Sequence, residues 1–389
     1  MRSLIWSILL FILVVACKGN KSEQVKTAFD STETKIPTTT FSELGIDSML
    51  LNKVTTKIEK QEYPNIHSVL IAKNGKLFYE HYFKGEDQIW GRDIGNVQFT
   101  DTTLHDIRSV TKSIVSACIG IAIEKGYIKS VNQKISDFFP EMEGTFIGDK
   151  SNWTIQNFLT MTTGLSWNED VPYNNPENNE TIMSSSENPV EYVLTQPLAT
   201  KPGTKFNYNG GATQVLAEII VMASKTPLDR FVKEHLFEPL GIDKFEWTKY
   251  SAWNGSDTFA AASGLRLTSQ DLLKFGLLYR NNGNWNGKQI IPSQWVEESF
   301  SEKIEFPSKV ANGNDAYGYQ FWMWPEYISN NEFKMIAAIG NGGQNIYFDL
   351  KNDIIVVTTA GNYNNWDIKN DPYALLRNEI YPLILNDEK

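Results

Sequence analysis

The chain has 389 residues, 41% of them hydrophobic and 12% aromatic, enough for a large core and more than a minimal domain needs. A formal charge of -10 and the lack of any long basic run exclude a nucleic-acid footprint. The 4 histidines, His67, His81, His105 and His235, are scattered, with no H-E-x-x-H pattern and no cysteine cluster, so a histidine-rich zinc site has little to stand on.

In chain order, Arg2 precedes an apolar run from Leu4 to Val15 and then Ala16-Cys17. A charged start, a short apolar stretch and a small residue before the cut make a signal peptide over residues 1–16. The run is too short for an ordinary spanning helix. Val14-Val15-Ala16-Cys17 resembles a bacterial lipobox, which would make Cys17 a lipid anchor. An uncleaved apolar terminus or an ordinary secretory cut are the alternatives. Residues 17–43 are polar and read as a flexible tether, and 44–389 as the folded domain.

Leu44 to Ile58 has helical spacing, and two short apolar runs joined by Asn74-Gly75 predict a β-hairpin. Ser113 to Lys125 is apolar on most sides and predicts a buried helix ending at Gly126, with Cys118 as a small hydrophobe inside it. Further helices are predicted at 154–162, 211–224 and 269–279. The polar stretch Asn168–Asn188 reads as a surface loop or a disordered insertion. Strands return at Tyr317–Trp324, Asn345–Phe348 and Ile354–Thr359. Strands early and late, with helices between, imply a sheet built from both chain ends around a helical region at roughly 110–250.

Ser109-Val110-Thr111-Lys112 heads the most helical stretch. On a helix, i and i+3 share a face, so Lys112 would sit beside the Ser109 hydroxyl. A serine hydroxyl is a weak nucleophile until a base activates it, and this pairing does so without histidine. About two S-x-x-K matches are expected by chance in such a chain, so the surroundings decide. His105, four residues before Ser109, invites a Ser–His reading, but no G-x-S-x-G elbow accompanies it and a structural role is expected.

Those surroundings are ordered landmarks. Ser109-Val110-Thr111-Lys112 is followed by Thr160-Met161-Thr162-Thr163-Gly164-Leu165, then Pro202-Gly203-Thr204-Lys205-Phe206-Asn207-Tyr208, then Gly264-Leu265-Arg266-Leu267-Thr268. Together they resemble serine hydrolases of the class C β-lactamase and penicillin-binding-protein family, from about residue 44 to the end. Tyr208 followed by Thr213-Gln214-Val215-Leu216-Ala217, and Gly343-Gln344-Asn345, is most similar to the 6-aminohexanoate-dimer hydrolase branch.

The resemblance implies an α/β (α+β) fold of the β-lactamase/transpeptidase type, an antiparallel sheet flanked by helices with an inserted, mostly helical subdomain. It implies Ser109 as nucleophile, Lys112 and Tyr208 as base and acid, and no metal or organic cofactor. Lys112 would stabilise the Tyr208 phenolate, so that the two titrate as a unit. The oxyanion hole would use the Ser109 backbone N–H and that of Asn341, with Gly340 as the motif glycine; a second frame makes Gln344 the donor.

Two departures matter. The cationic residue of the third motif is missing near Ala338–Gly340, and the position two after Tyr208 is Gly210 where penicillin-recognising members usually carry Asn. Both missing groups would hold a β-lactam, so the expected substrate is a small ester, a linear amide or a short peptide. A β-lactamase or D-alanyl-D-alanine peptidase is the alternative enzyme, and an inactive envelope-binding lipoprotein the alternative of another class. Trp167, Tyr173, Tyr319, Trp322 and Trp324 are candidate cleft aromatics, with core or sheet surface the commoner role for aromatics alternating in a strand. The expected location is the bacterial cell envelope, lipid-anchored, in the periplasm or at the outer membrane.

Overall fold

In the computed structural model, which describes residues 35–250, 255–308, 313–328, 330–365, 368 and 371–385, the hairpin signal is realised in its tight form. Strands β1 (Ile66–Lys73) and β2 (Lys76–Tyr82) meet at Asn74 and Gly75, whose φ values of 53° and 73° match the twist of the strands they join. The signal peptide and Cys17 lie outside the described residues. Where the tether was expected to continue, Thr38 pairs with Leu77 and Phe41–Leu44 forms a capped helical turn, so the described body begins before residue 44.

Six later strands complete the main sheet: β3 (Ile304–Pro307), β4 (Asn314–Tyr317), β5 (Trp322–Ile328), β6 (Asn331–Gly340), β7 (Gln344–Asp349) and β8 (Ile354–Ala360). Every pairing is antiparallel and the order is β3-β4-β5-β6-β7-β8-β1-β2. The last strand therefore lies against the first, in register Val69↔Thr358 and Ile71↔Val356. Both faces are covered, which is why β8 reads as an unbroken apolar run: Ile355 and Val357 enter one core, Ile354 and Val356 the other. The second core is closed by α1 (Ser48–Glu59), capped by Asp47, and by the C-terminal helical segment Pro372–Leu385.

On the first face lies the helical layer. α2 (Val110–Glu124) is buried at every position from Val110 to Ala122, as a helix apolar all round must be. It packs against α3 (Gly210–Ser224) and β6, while α4 (Ser269–Arg280), capped by Thr268, lies across β8, β1 and β7. Helices and short helical turns follow one another from α2 to Leu240.

Two expectations are corrected. The strand expected across Tyr317–Trp324 is broken by a turn in which Gln320 takes φ 67°, and its side chain ties Thr213 to the Phe158 and Leu159 carbonyls. The stretch 168–188 is neither a plain surface loop nor shapeless: it holds the helix Asn179–Ser185, and Asn178, Glu180 and Met183 are buried. Among the described residues, no helix is long and apolar enough to cross a membrane.

Candidate active site

The approach to Ser109 is a fixed track. His105 and Asp106 pair with Leu267 and Arg266 in a small three-stranded sheet. Arg266 and Arg108 both reach the buried Asp106 carboxylate, at 2.9 and 3.3 Å. Arg108, a non-glycine residue, is held at φ 48°, a conformation that persists only where its surroundings over-determine it. The next residue is Ser109, at the N-terminus of α2 with no capping hydrogen bond from its side chain. Its hydroxyl is therefore not spent on the helix.

Lys112 is 1% exposed and donates from Nζ to Ser109 Oγ and to the Ala262 carbonyl, each at 3.0 Å. The same Nζ lies 5.0 Å above the Tyr208 ring, whose other partner is Trp322, stacked at 5.4 Å. Tyr208 sits just before α3, and the Ser109 hydroxyl is within hydrogen-bonding reach of its phenol. The landmark segments thus form one clasp. Gly203 and Asn207 donate backbone bonds to Thr162 and Met161, and Ala199 to Gly164, which holds the Pro202–Tyr208 stretch in place.

One expectation about charge fails. Tyr208 is not drawn toward phenolate: burial, with the Glu169 and Glu180 carboxyls adding, pushes its pKa well above the ordinary value despite the Ser109 hydrogen bond. Lys112 lies over the ring face rather than at the phenol oxygen, so its cation does not offset this.

Gly340 ends β6 directly against Ser109. A Cβ there would lie 2.4 Å from the Ile107 carbonyl and 3.3 Å from the Ser109 nitrogen. Asn341 follows at the turn, its side chain engaged with Asn364 rather than aimed at the serine. Gln344 is buried opposite Gly340 and donates to the Ala360 carbonyl. Ala338 is buried in the apolar core, so no charge stands in the third motif.

Beside the serine, a cavity of about 310 Å³ opens among Trp322, Trp324, Gly340, Asn341, Tyr347 and Tyr373. Ser109 itself does not line it; the two are joined through Gly340 and the Trp322–Tyr208 stack. Of the candidate cleft aromatics, Trp322 and Trp324 stand there. Trp167 and Tyr173 instead donate to Glu169, and Tyr319 is buried against Trp295.

Two groupings escaped the sequence. Glu169 and Glu180 converge on Gly210 from the polar stretch read as a loop. His67, Asp87 and His105, far from scattered, hold potential ligand atoms within 4.8 Å of one another. Burial lowers His67 to about 3 and raises Asp87 to about 6, and the Arg266 guanidinium acts on both Asp87 and His105, opposing any added cation. His105 stacks on Phe99 at 4.9 Å, a structural placement outside the Ser109–Lys112–Tyr208 cluster.

The family described as Beta-lactamase matches residues 54–377. The chain belongs to the β-lactamase family. Its homologues there are hydrolases, and the antiparallel sheet flanked by helices is that family's fold. The 6-aminohexanoate-dimer hydrolase of Paenarthrobacter ureafaciens is 24% identical over 311 residues, 74% of this chain and 70% of that one. A candidate 6-aminohexanoate-dimer hydrolase from Bacillus anthracis shares the fold with a TM-score of 0.65 at 22% identity, covering 84% of this chain and 81% of that one. A family VIII carboxylesterase does so at 0.64 and 13%, covering 86% and 96%. A β-lactamase of Yersinia enterocolitica is 23% identical over 253 residues, 61% of this chain and 60% of that protein's own length.

Proposed function

We propose that this family member hydrolyses a small ester or linear amide through an acyl-enzyme on Ser109. The observation that carries the reading is the uncapped Ser109 hydroxyl receiving the buried Lys112 ammonium at 3.0 Å, beside the Tyr208 phenol. Ser109 Oγ attacks the carbonyl carbon when Tyr208 has ionised, its proton passing to the phenolate oxygen while Lys112 remains an ammonium. The oxyanion is received by the backbone N–H groups of Ser109 and Asn341, a frame supported by the closeness of Gly340 to Ser109, whose nitrogen would lie 3.3 Å from a Cβ placed on that glycine. The acyl C–O or C–N bond then breaks, the leaving group takes a proton from Tyr208, and water releases the acid. That donation returns Tyr208 to the phenolate, which takes the proton of the attacking water.

Chemistry against β-lactams is disfavoured by what surrounds the serine. Gly210 brings no amide, Ala338 brings no cation, and the adjoining cavity is lined by Asp315 and Asp371 rather than by a lysine or arginine that would hold a β-lactam carboxylate. The purified protein is expected to turn over p-nitrophenyl butyrate at least about 100-fold more efficiently than nitrocefin in kcat/KM, the scale of a few kcal/mol of lost recognition. Nitrocefin turnover equal to or above that of the ester would overturn the preference. Labelling by a fluorophosphonate probe separates an enzyme from an inactive binding protein, which would stay unlabelled.

The lipobox-like Val14-Val15-Ala16-Cys17 supports a lipid anchor at Cys17 and a place in the cell envelope. Cys17→Ala is expected to move the protein from the membrane to the soluble fraction of a bacterial expression host. An unchanged membrane fraction would reject the anchor.

A further inference from the structure

Gly210 stands where an amide side chain is usual, and its space is filled from outside. A Cβ at Gly210 would lie 2.4 Å from Glu180 Oε2 and 3.3 Å from Glu169 Oε2. The two carboxyls therefore crowd a single point. Two carboxylates only accept and repel, so oxygens brought this close call for a proton on one of them. The other contacts show which oxygens are already served. Glu169 Oε2 accepts from the Gly210 N–H at 2.7 Å and the Trp167 indole at 2.8 Å, and Glu169 Oε1 from the Tyr173 phenol at 3.2 Å. Glu180 Oε1 accepts from the Ser263 hydroxyl at 3.1 Å. Glu180 Oε2 is buried with no other donor, in a residue only 8% exposed.

Ser263 is the neighbour of Ala262, whose carbonyl receives Lys112, so one turn of chain links the acid pair to the lysine. We propose that Glu169 and Glu180 share one proton and carry one negative charge, as a positioning pair whose charge balances Lys112 and sets when Tyr208 can ionise. This rests on the hydrolase reading for its consequence, though not for its existence.

The surrounding charges agree. Lys112 and Arg108 favour a negative Glu180, while burial and Glu180 together push Glu169 well up. The other titratable groups facing the pair are Tyr173, Tyr208, Tyr250 and Tyr317, all phenols pushed upward, first by burial and then by these carboxyls or by one another. Lys112 and Arg108 are thus the cations acting on the pair among the described residues, and Lys112 is the one bonded to Ser109. A single negative charge there opposes a phenolate at Tyr208 and so holds the rising limb of activity at higher pH.

Two measurements test the pair. In Ser109→Ala protein, where turnover plays no part, infrared spectra at about pH 8 should show a protonated-carboxyl carbonyl band that Glu169→Gln removes. With p-nitrophenyl butyrate, the double variant Glu169→Gln/Glu180→Gln, which removes the shared charge, should move the acid limb of kcat/KM down by about one pH unit or more, while Glu169→Gln alone, which leaves Glu180 charged, should leave it near the wild-type position. A purely structural role would lower kcat without moving the limb. The same band in Glu169→Gln, or an unmoved limb in the double variant, would overturn the pair. If the wild type neither turns over esters nor accepts a fluorophosphonate, the hydrolase reading fails and the infrared result alone judges the shared proton.

Discussion

Ser109→Ala is expected to lower kcat/KM for p-nitrophenyl butyrate by about 10⁴-fold or more and to abolish fluorophosphonate labelling. The size follows from the proposed role, since without Oγ no acyl-enzyme forms and only the oxyanion donors and the cavity remain. The fold should survive. The hydroxyl makes no capping bond to α2, and its loss leaves Lys112 still bonded to the Ala262 carbonyl. Losing one of the lysine's two contacts costs about 1 kcal/mol, which thermal unfolding would read as a small fall in Tm. An alanine variant that still labels would place the nucleophile elsewhere.

Lys112→Met should be nearly as damaging to activity, about 10³-fold in kcat/KM, with little loss of stability. Methionine matches the lysine stem in bulk and fills irregular space well, so the core between α2 and α3 stays packed. What disappears is the ammonium that bonds Ser109 Oγ and lies over Tyr208. A buried cation is dearly desolvated, and removing it offsets much of what its contacts contribute. Glu180 would lose the cation that favours its charge, so its pKa should rise and the acid pair should bind a second proton. Lys112→Arg is not expected to rescue activity, because a planar fork cannot occupy the site of a compact ammonium. Retention of more than about a tenth of wild-type kcat/KM in Lys112→Met would remove the lysine from the chemistry.

What the sequence made legible was local or strongly patterned. Asn74-Gly75 gave the hairpin, the all-round apolar run gave α2, and Thr154 and Asn209 stand as caps near the expected helix starts. The Ser109–Lys112 contact follows from helical spacing alone and is present at 3.0 Å. Two kinds of feature were not legible. Gln320 sits within alternating aromatics, and only its tertiary bonds to Thr213 and the Phe158 and Leu159 carbonyls show why the strand must break there. Glu169 and Glu180 lie in an Asn-, Ser- and Glu-rich stretch, where polarity ordinarily signals solvent. Their inward placement depends on Gly210, 41 residues beyond Glu169 and some 30 beyond Glu180. The absence of a side chain is a quiet signal: Gly210 read as a missing group, when in space it is room for two others. His67, Asp87 and His105 come together for a similar reason, since non-local pairing of strands, not periodicity, sets them side by side.

The pairing of β8 with β1 also dictates an order of events at synthesis. β1 is delivered to the ribosome exit early, yet its inner neighbour is the last strand of the sheet to be made. Until Ile354–Ala360 emerges, the first hairpin has one open backbone edge and apolar residues on both faces, the features that favour pairing with the wrong chain. Assembly of the sheet must wait for nearly the whole chain, so folding should be slow and sensitive to any truncation that removes β8.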